Sequence, residues 1–133
     1  MRVAIVGGRD FGLTLKEQEW MWKKLDILRD QYQETATPWS VVVSGGAKGA
    51  DTVGKAWAKS RSLSFVLFKP YHLIDTTVSY HPRYFFIRNK QIVDNSDLIV
   101  AFWNGESAGT RHAIRYAKSS QKPVVIFDHE PDT

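Results

Sequence analysis

The sequence predicts an α/β protein with an open, mostly parallel sheet of about five strands flanked by helices. Short apolar runs alternate with helix-length amphipathic stretches along the whole chain. A continuous apolar run is typical of a strand that is covered on both faces, and parallel strands need a crossover that is usually helical. This alternation therefore favours right-handed βαβ units. The predicted strands are residues 3–6, 41–43, 65–68, 98–102 and 124–127.

Apolar residues at helical spacing predict the elements between these strands. Thr14 and Glu17 fit a capping box, so the first helix is expected to begin near Leu15 and to end before Pro38, within 35–37. Its apolar face consists of Met21, Trp22, Leu25, Leu28 and Tyr32. The other predicted helices are 50–61, 83–95 and 110–119; the second of these should bury Phe86, Ile87 and Val93 or their neighbours, and 69–82 has no clear periodicity.

Composition narrows the class of protein. A chain of 133 residues suits one domain spanning 1–133, with ordinary hydrophobic (43%) and charged (24%) fractions. The absence of cysteine excludes disulfides and thiolate chemistry, and the four histidines form no compact ligand set, so neither a metal nor a cofactor is expected. No apolar run approaches the ~20 residues of a membrane span, and no signal-peptide core is visible, so we expect a cytoplasmic protein without membrane contact. The net charge of +4 is compatible with phosphate-bearing partners.

Glycine-bearing turns directly follow three of the predicted strands. The carboxyl ends of parallel strands meet at one edge of an open sheet, where ligands bind. Small residues let a ligand approach the backbone there, and a following helix presents N–H groups to an anion. None of the turns spells GxxxxGK[ST], GxGxxG or GxSxG, which argues against standard nucleotide loops and a nucleophile elbow. The candidate ligand-binding residues of these turns are Gly7, Gly8, Arg9, Asp10, Ser44, Gly45, Gly46, Lys48, Asp51, Asn104, Gly105, Ser107, Gly109, Thr110 and Arg111.

Charged residues in the first two turns have alternative roles. Arg9 could form a bidentate fork on phosphate or carboxylate, or a structural pair with Asp10 or Asp51. Asp10 could orient Arg9, accept from a ribose hydroxyl or cap its turn. Asp51 suits the positive end of the following helix, and Lys48 could reach a phosphate or simply be exposed.

Two further pairs of residues lie inside predicted helices. Arg111 and His112 stand in the first turn of a helix, where positive charge opposes the macrodipole, so either an anion compensates them or both bend into solvent. Arg88 and Asn89 are mid-helix; Arg88 could clamp an anion, and Asn89 could bind ligand, a neighbouring turn or the adjacent loop.

The turns together with Arg88-Asn89 and the sequence 103–110 resemble the motifs of the SLOG superfamily, particularly its small YspA-like branch. This superfamily joins the Smf/DprA DNA-processing proteins with the LOG nucleotide hydrolases. The resemblance implies a Rossmann-like sheet with a nucleotide-type ligand over its carboxyl edge. LOG hydrolases carry a catalytic glutamate just after a Gly-Thr pair, whereas Arg111, His112 and Ala113 follow Gly109-Thr110 here.

We therefore expect binding of a nucleotide-derived signalling molecule, which the protein senses or sequesters, rather than catalysis; no catalytic residue is assigned. One alternative is a nucleoside 5′-monophosphate phosphoribohydrolase in which Glu106 or Asp10 replaces the missing glutamate. Another is a nucleic-acid-binding module akin to DNA-processing protein A. The aromatic residues from Tyr71 to Phe86 could stack on a base, or cover the sheet edge or a homodimer contact.

Overall fold

The computed structural model describes residues 1–34 and 37–129, and its centre is a parallel sheet of five strands in the order β3-β2-β1-β4-β5. β1 pairs with β2 (Arg2↔Val41) and with β4 (Val3↔Leu98), so it occupies the middle. The predicted α/β Rossmann-like fold is confirmed. The strands are β1 Arg2–Gly7, β2 Val41–Ser44, β3 Ser64–Leu67, β4 Leu98–Phe102 and β5 Val124–Phe127.

Helices cover both faces of the sheet. The hydrophobic core on one face includes Met21 and Trp57, and the core on the other face includes Ile92 and Ile114. All four residues are at most 3% exposed. α1 and α2 pack on the first face, and α4 and α5 pack on the second. The helices are α1 Leu15–Gln33, α2 Ala50–Ser60, α3 Tyr71–Ile74, α4 Arg83–Asp94 and α5 Ala108–Ser119.

The first helix begins where the sequence predicts, because Thr14 accepts a hydrogen bond from Glu17 N at 3.1 Å. The Glu17 carboxylate, however, accepts from Gly12 N instead of closing the capping box on Thr14. The predicted end of this helix, within 35–37, lies largely outside the described residues, and α1 itself ends at Gln33.

The connection from β3 to β4 differs most from expectation. Residues 69–82 contain the short helix α3. Of the residues expected to be buried in this helix, Val93 is buried, but the expectation is wrong for Phe86 and Ile87, which are 43% and 49% exposed. α4 instead turns their neighbours Arg88 and Asn89 inward along with Ile92 and Val93. The polar pair therefore faces the sheet edge, and the apolar pair faces solvent.

The sheet order places the site. Because the direction of the crossovers reverses between β1 and β4, the crevice at their carboxyl ends is the topological switch point at which open α/β sheets bind ligands. Gly8 N donates to Phe102 O at 3.0 Å, which joins the two strand ends at this point. In the described ranges, no helix is long and apolar enough to cross a membrane.

Candidate functional site

The first and second turns pack directly on each other. Ala50 N, at the start of α2, donates to Gly8 O at 3.2 Å. Gly49 has a φ of +83°, and a Cβ at this residue would lie 2.6 Å from Gly8 O. A Cβ on Gly7 would meet the Ala50 side chain at 2.6 Å. These glycines are needed for contact between the turns, independently of any ligand.

The Asp51 carboxylate occupies the inside of the second turn. Asp51 is 5% exposed, and its Oδ2 accepts from Ala47 N at 3.0 Å. Burial raises the pKa of Asp51 to about 6, against the lowering effects of the Ala47 amide, the Arg88 charge, Ser44 and the Gly45 amide. The amides of this turn therefore already have an internal acceptor, which an external phosphate would have to displace.

Arg88 is a buried guanidinium at the mouth of the crevice. It is 9% exposed; Nη1 donates to Gly45 O at 2.9 Å and Nε donates to Asn89 Oδ1 at 3.2 Å. Its guanidinium carbon lies 5.5 Å from the centre of the Phe85 ring. Burial lowers the pKa of Arg88, while the Asp51 charge opposes that shift. Within 1–34 and 37–129, no carboxylate oxygen comes within 4 Å of this side chain.

Asn89 connects α4 to the third turn. Its Nδ2 donates to Gly109 O at 3.2 Å and lies 3.4 Å from His112 Nδ1. Burial and the Lys90 charge lower the pKa of His112, which favours the neutral ring that can accept at Nδ1. Since Arg88 holds the second turn and Asn89 the third, this adjacent pair fixes the spacing of the two turns.

The third turn is built around the start of α5. Ser107 caps the helix by accepting from Thr110 N at 3.3 Å. Arg111 donates to Gly105 O at 2.7 Å and lies over the Trp103 ring at 5.8 Å, so it folds back onto the turn rather than into solvent. A Cβ on Gly109 would find no atom within 4 Å, so open space lies in front of it.

Asp10 and Asn104 link the first turn to the third. Asn104 Nδ2 donates to Asp10 Oδ2 at 2.8 Å, and Asn104 Oδ1 accepts from Glu106 N at 3.0 Å. Both side chains lie at the switch point. Asp10 is exposed, so its carboxylate is accessible to a ligand hydroxyl.

The predicted residues are thus brought to one edge, although their surroundings differ. Arg9, Lys48 and Gly46 are exposed at the rim, and Ser44, Asp51 and Thr110 are buried beneath it. Among the residues that the structure describes, Arg9 has no carboxylate within 4 Å, so the alternative role of Arg9, a structural pair with Asp10 or Asp51, is not observed.

The sequence did not predict three ring contacts at this edge of the sheet, two with arginines and one between His129 and Phe11. Phe85 lies beneath Arg88, and Trp103 lies beneath Arg111. His129 stacks on Phe11 with 3.8 Å between ring centroids. The i, i+3 spacing of Phe85 and Arg88 on one helix could have indicated the first contact, whereas the others depend on tertiary packing.

The aromatic residues of the β3–β4 connection mostly pack on one another. The His72 ring centroid lies 5.2 Å from that of Tyr80, 6.0 Å from that of Tyr84 and 5.3 Å from that of Phe85. The resulting cluster reaches the crevice at the switch point through Phe85, because the Arg88 guanidinium lies over that ring.

Comparisons with known proteins agree with this geometry. Residues 1–72 match the model of the YspA, cpYpsA-related SLOG family. The chain is 34% identical over 134 residues to the Gene 61 protein of Mycobacterium phage D29, covering 98% of each. It also superposes on DNA processing protein A from Helicobacter pylori, whose structure concerns single-stranded DNA binding, with a TM-score of 0.69 and 20% identity. The superposition covers 100% of this chain and 66% of the DNA processing protein A chain.

Proposed function

Because the chain belongs to the YspA, cpYpsA-related SLOG family, we propose that it binds a nucleotide or nucleotide-derived signalling molecule at the carboxyl edge of its sheet. In this proposal residues 1–133 form one nucleotide-binding domain. The protein senses or sequesters its ligand in the cytoplasm, without a cofactor.

The observation that carries the proposal is the buried charge of Arg88. Removing a guanidinium from water costs several kcal/mol unless an anion or hydrogen bonds compensate it. Arg88 has two hydrogen bonds to neutral groups, and no carboxylate of the described chain lies within 4 Å. The Asp51 charge acts on Arg88 from beyond 4 Å, and a ligand phosphate would add an anion in direct contact, with Arg9 and Lys48 at the rim.

Asp10 supports the sugar end of such a ligand. Asn104 holds Oδ2 of its carboxylate, and the exposed Asp10 side chain is free to accept from a ribose hydroxyl. The open space at Gly109 lets a ligand approach the first turn of α5, where N–H groups favour an anion.

Thermal shift and calorimetry against nucleotides, cyclic nucleotides and ADP-ribose derivatives test the proposal. At least one ligand should raise the melting temperature, and Arg88→Gln and Arg9→Gln should weaken its binding. Each variant is compared with its own unliganded form, since Arg88→Gln also removes a structural hydrogen bond. Lys59→Gln, an exposed charge on α2, is the control. A panel without any stabilising ligand would contradict the proposal.

The phosphoribohydrolase alternative predicts release of free base from a nucleotide. Of the two carboxylates considered as replacements, Asp10 lies at the switch point and Glu106 is exposed on the third turn. We expect ligand binding without release, because Arg111, His112 and Ala113 stand where the family hydrolases hold their glutamate. Chromatography of the incubated nucleotide separates the outcomes, and base release above the buffer rate would establish turnover.

The second candidate function is binding of single-stranded DNA. It is favoured by the fold shared with DNA processing protein A, whose described binding mode is to single-stranded DNA. Together with the net charge of +4, this predicts an affinity that falls steeply with salt. Absence of a mobility shift at low salt would remove this candidate.

Self-association is a separate proposal. Tyr71, Leu73 and Ile74 of α3 are 50%, 58% and 65% exposed, and they would suit a contact between two copies. Light scattering should then give about twice the monomer mass, and Leu73→Asp together with Ile74→Asp should return it to one chain. A monomeric wild-type protein would contradict the proposal.

A further inference from the structure

An open groove of about 520 Å³ runs along the outer side of α5, against α4. Its lining extends from Ala108 in the first turn of α5 to Ser119 in the last, a length of about 17 Å at 1.5 Å per residue. Phe86 and Tyr116 contribute ring surface. The groove therefore begins beside the third turn and leads away from the proposed nucleotide pocket at the switch point.

Positive charge borders this groove. Arg111 and Arg115 line it directly, and Lys90 Nζ lies 5.7 Å from the centre of the Tyr116 ring. No carboxylate belongs to the lining residues. The nearby Asp94 accepts the Tyr116 hydroxyl at 2.7 Å, so that carboxylate already has a donor.

Arg111 joins the groove to the pocket. It lines the groove, and its Nη2 also donates to Gly105 O in the third turn. His112 connects the same two regions, because its ring centroid lies 4.5 Å from that of Phe86 and its Nδ1 lies 3.4 Å from Asn89 Nδ2. A polyanion with one unit in the pocket would have a continuous path into the groove.

We propose that the α4–α5 groove binds single-stranded nucleic acid, with a base on Phe86 and phosphates on Lys90 and Arg115. Alternating phosphates and flat bases match a basic border around a partly aromatic floor. The Phe86 ring is 43% exposed, and only an unpaired strand can place a base on it. An acidic peptide would satisfy the charges but leave this ring without a flat partner. The inference rests on the second candidate function above and adds where the strand lies.

Fluorescence anisotropy with a labelled oligothymidine, over a range of salt concentrations, tests the groove. Phe86→Ala should weaken binding roughly 5- to 150-fold, the effect of losing one stacked base. Lys90→Gln and Arg115→Gln should each reduce the slope of log K against log salt by about 0.7. Lys59→Gln and Ile27→Ala, exposed on α2 and α1, should bind as the wild type does.

The outcomes distinguish binding of single-stranded nucleic acid by this protein from the location of that binding in the α4–α5 groove. Wild-type protein that binds no oligonucleotide at low salt overturns both the candidate function and the groove. Binding that Arg88→Gln weakens but Phe86→Ala, Lys90→Gln and Arg115→Gln leave unchanged keeps the function and overturns the groove. Equal groove-dependent binding of duplex DNA or polyglutamate also overturns the assignment to single strands. Circular dichroism of each variant checks that the exposed substitutions leave the fold intact.

Discussion

Asp51 should make the protein less stable as pH rises, which is unusual for an aspartate. Its pKa rises from 3.8 to about 6 on folding, because burial disfavours the charged form more than its hydrogen bonds and Arg88 favour it. A group with a raised folded pKa contributes stability that is fully present below the unfolded pKa and is lost as pH rises through the folded pKa. The window for Asp51 is therefore about pH 4 to 6.

The magnitude follows from the shift. A difference of about 2 pKa units corresponds to roughly 3 kcal/mol at 1.36 kcal/mol per unit. About 2 kcal/mol of this develops between pH 4.5 and 7.5, since part is already lost at the lower pH. The side chain is 5% exposed, so solvent screening reduces the figure little.

The assay is urea unfolding of the wild type and Asp51→Asn at several pH values from 4.5 to 7.5. Because asparagine does not titrate, the free energy of unfolding of the wild type should fall relative to the variant by about 2 kcal/mol over this range. Asp26→Asn is the matched control: Arg61, 2.7 Å away, lowers the pKa of Asp26 below its unfolded value. The stability that Asp26 contributes is therefore gained below about pH 4, and the wild type and this variant should run parallel from pH 4.5 to 7.5. If the profiles of the wild type and Asp51→Asn run parallel, as those of the wild type and the control should, the reasoning is refuted.

Three further predictions concern the turns. Gly49→Ala should lower the free energy of unfolding by about 1–3 kcal/mol, because φ is +83° and the new Cβ would lie 2.6 Å from Gly8 O. Gly109→Ala, where a Cβ meets no atom within 4 Å, should leave stability unchanged and reduce only ligand binding. Equal melting temperatures for the two variants would contradict this prediction. Asn89→Leu should cost about 2 kcal/mol in urea unfolding by removing the hydrogen bonds to Gly109 O and Arg88 Nε; a loss under 0.5 kcal/mol would show that these bonds contribute little. Binding of an anion near Asp51 should raise the pKa of this carboxyl further. Calorimetry of ligand binding at pH 6.5 in two buffers should then detect proton uptake, and Asp51→Asn should abolish that uptake. Zero proton uptake by the wild type would show that the anion binds elsewhere.

Strands and helices were predictable wherever local pattern and tertiary packing agree. β4 has the predicted bounds because its apolar run is buried on both faces. The edge strand β5 also has the predicted bounds, although Ile126 is 40% exposed. Ser107 moves the start of α5 two residues before the predicted Thr110, because its hydroxyl accepts from Thr110 N. A serine cap with no acidic residue three positions later gave no capping-box signal.

The burial of α4 was not predictable from hydrophobicity. Phe86 and Ile87 are more apolar than Arg88 and Asn89, yet the polar pair faces the sheet edge. Their inward position depends on acceptors at Gly45 and Gly109, which lie far away in the sequence. The poor helix propensity of Asn89 was the available signal, and it pointed to this hydrogen bond.

Backbone amides of the second turn already donate to acceptors within the protein, one of which is the Asp51 carboxylate. The Asp51 carboxylate accepts a hydrogen bond from Ala47 N, and Gly8 O accepts one from Ala50 N, so these two amide donors are satisfied before any ligand binds. Backbone amides that are already paired add little net binding energy, because a new bond only replaces an existing one. Arg88 has no carboxylate of the described residues within 4 Å, so the Asp51 charge acts on it only from farther away, and open space lies in front of Gly109. An anionic ligand should therefore gain most from Arg88 and the third turn, while the second turn mainly positions Arg88 through Gly45.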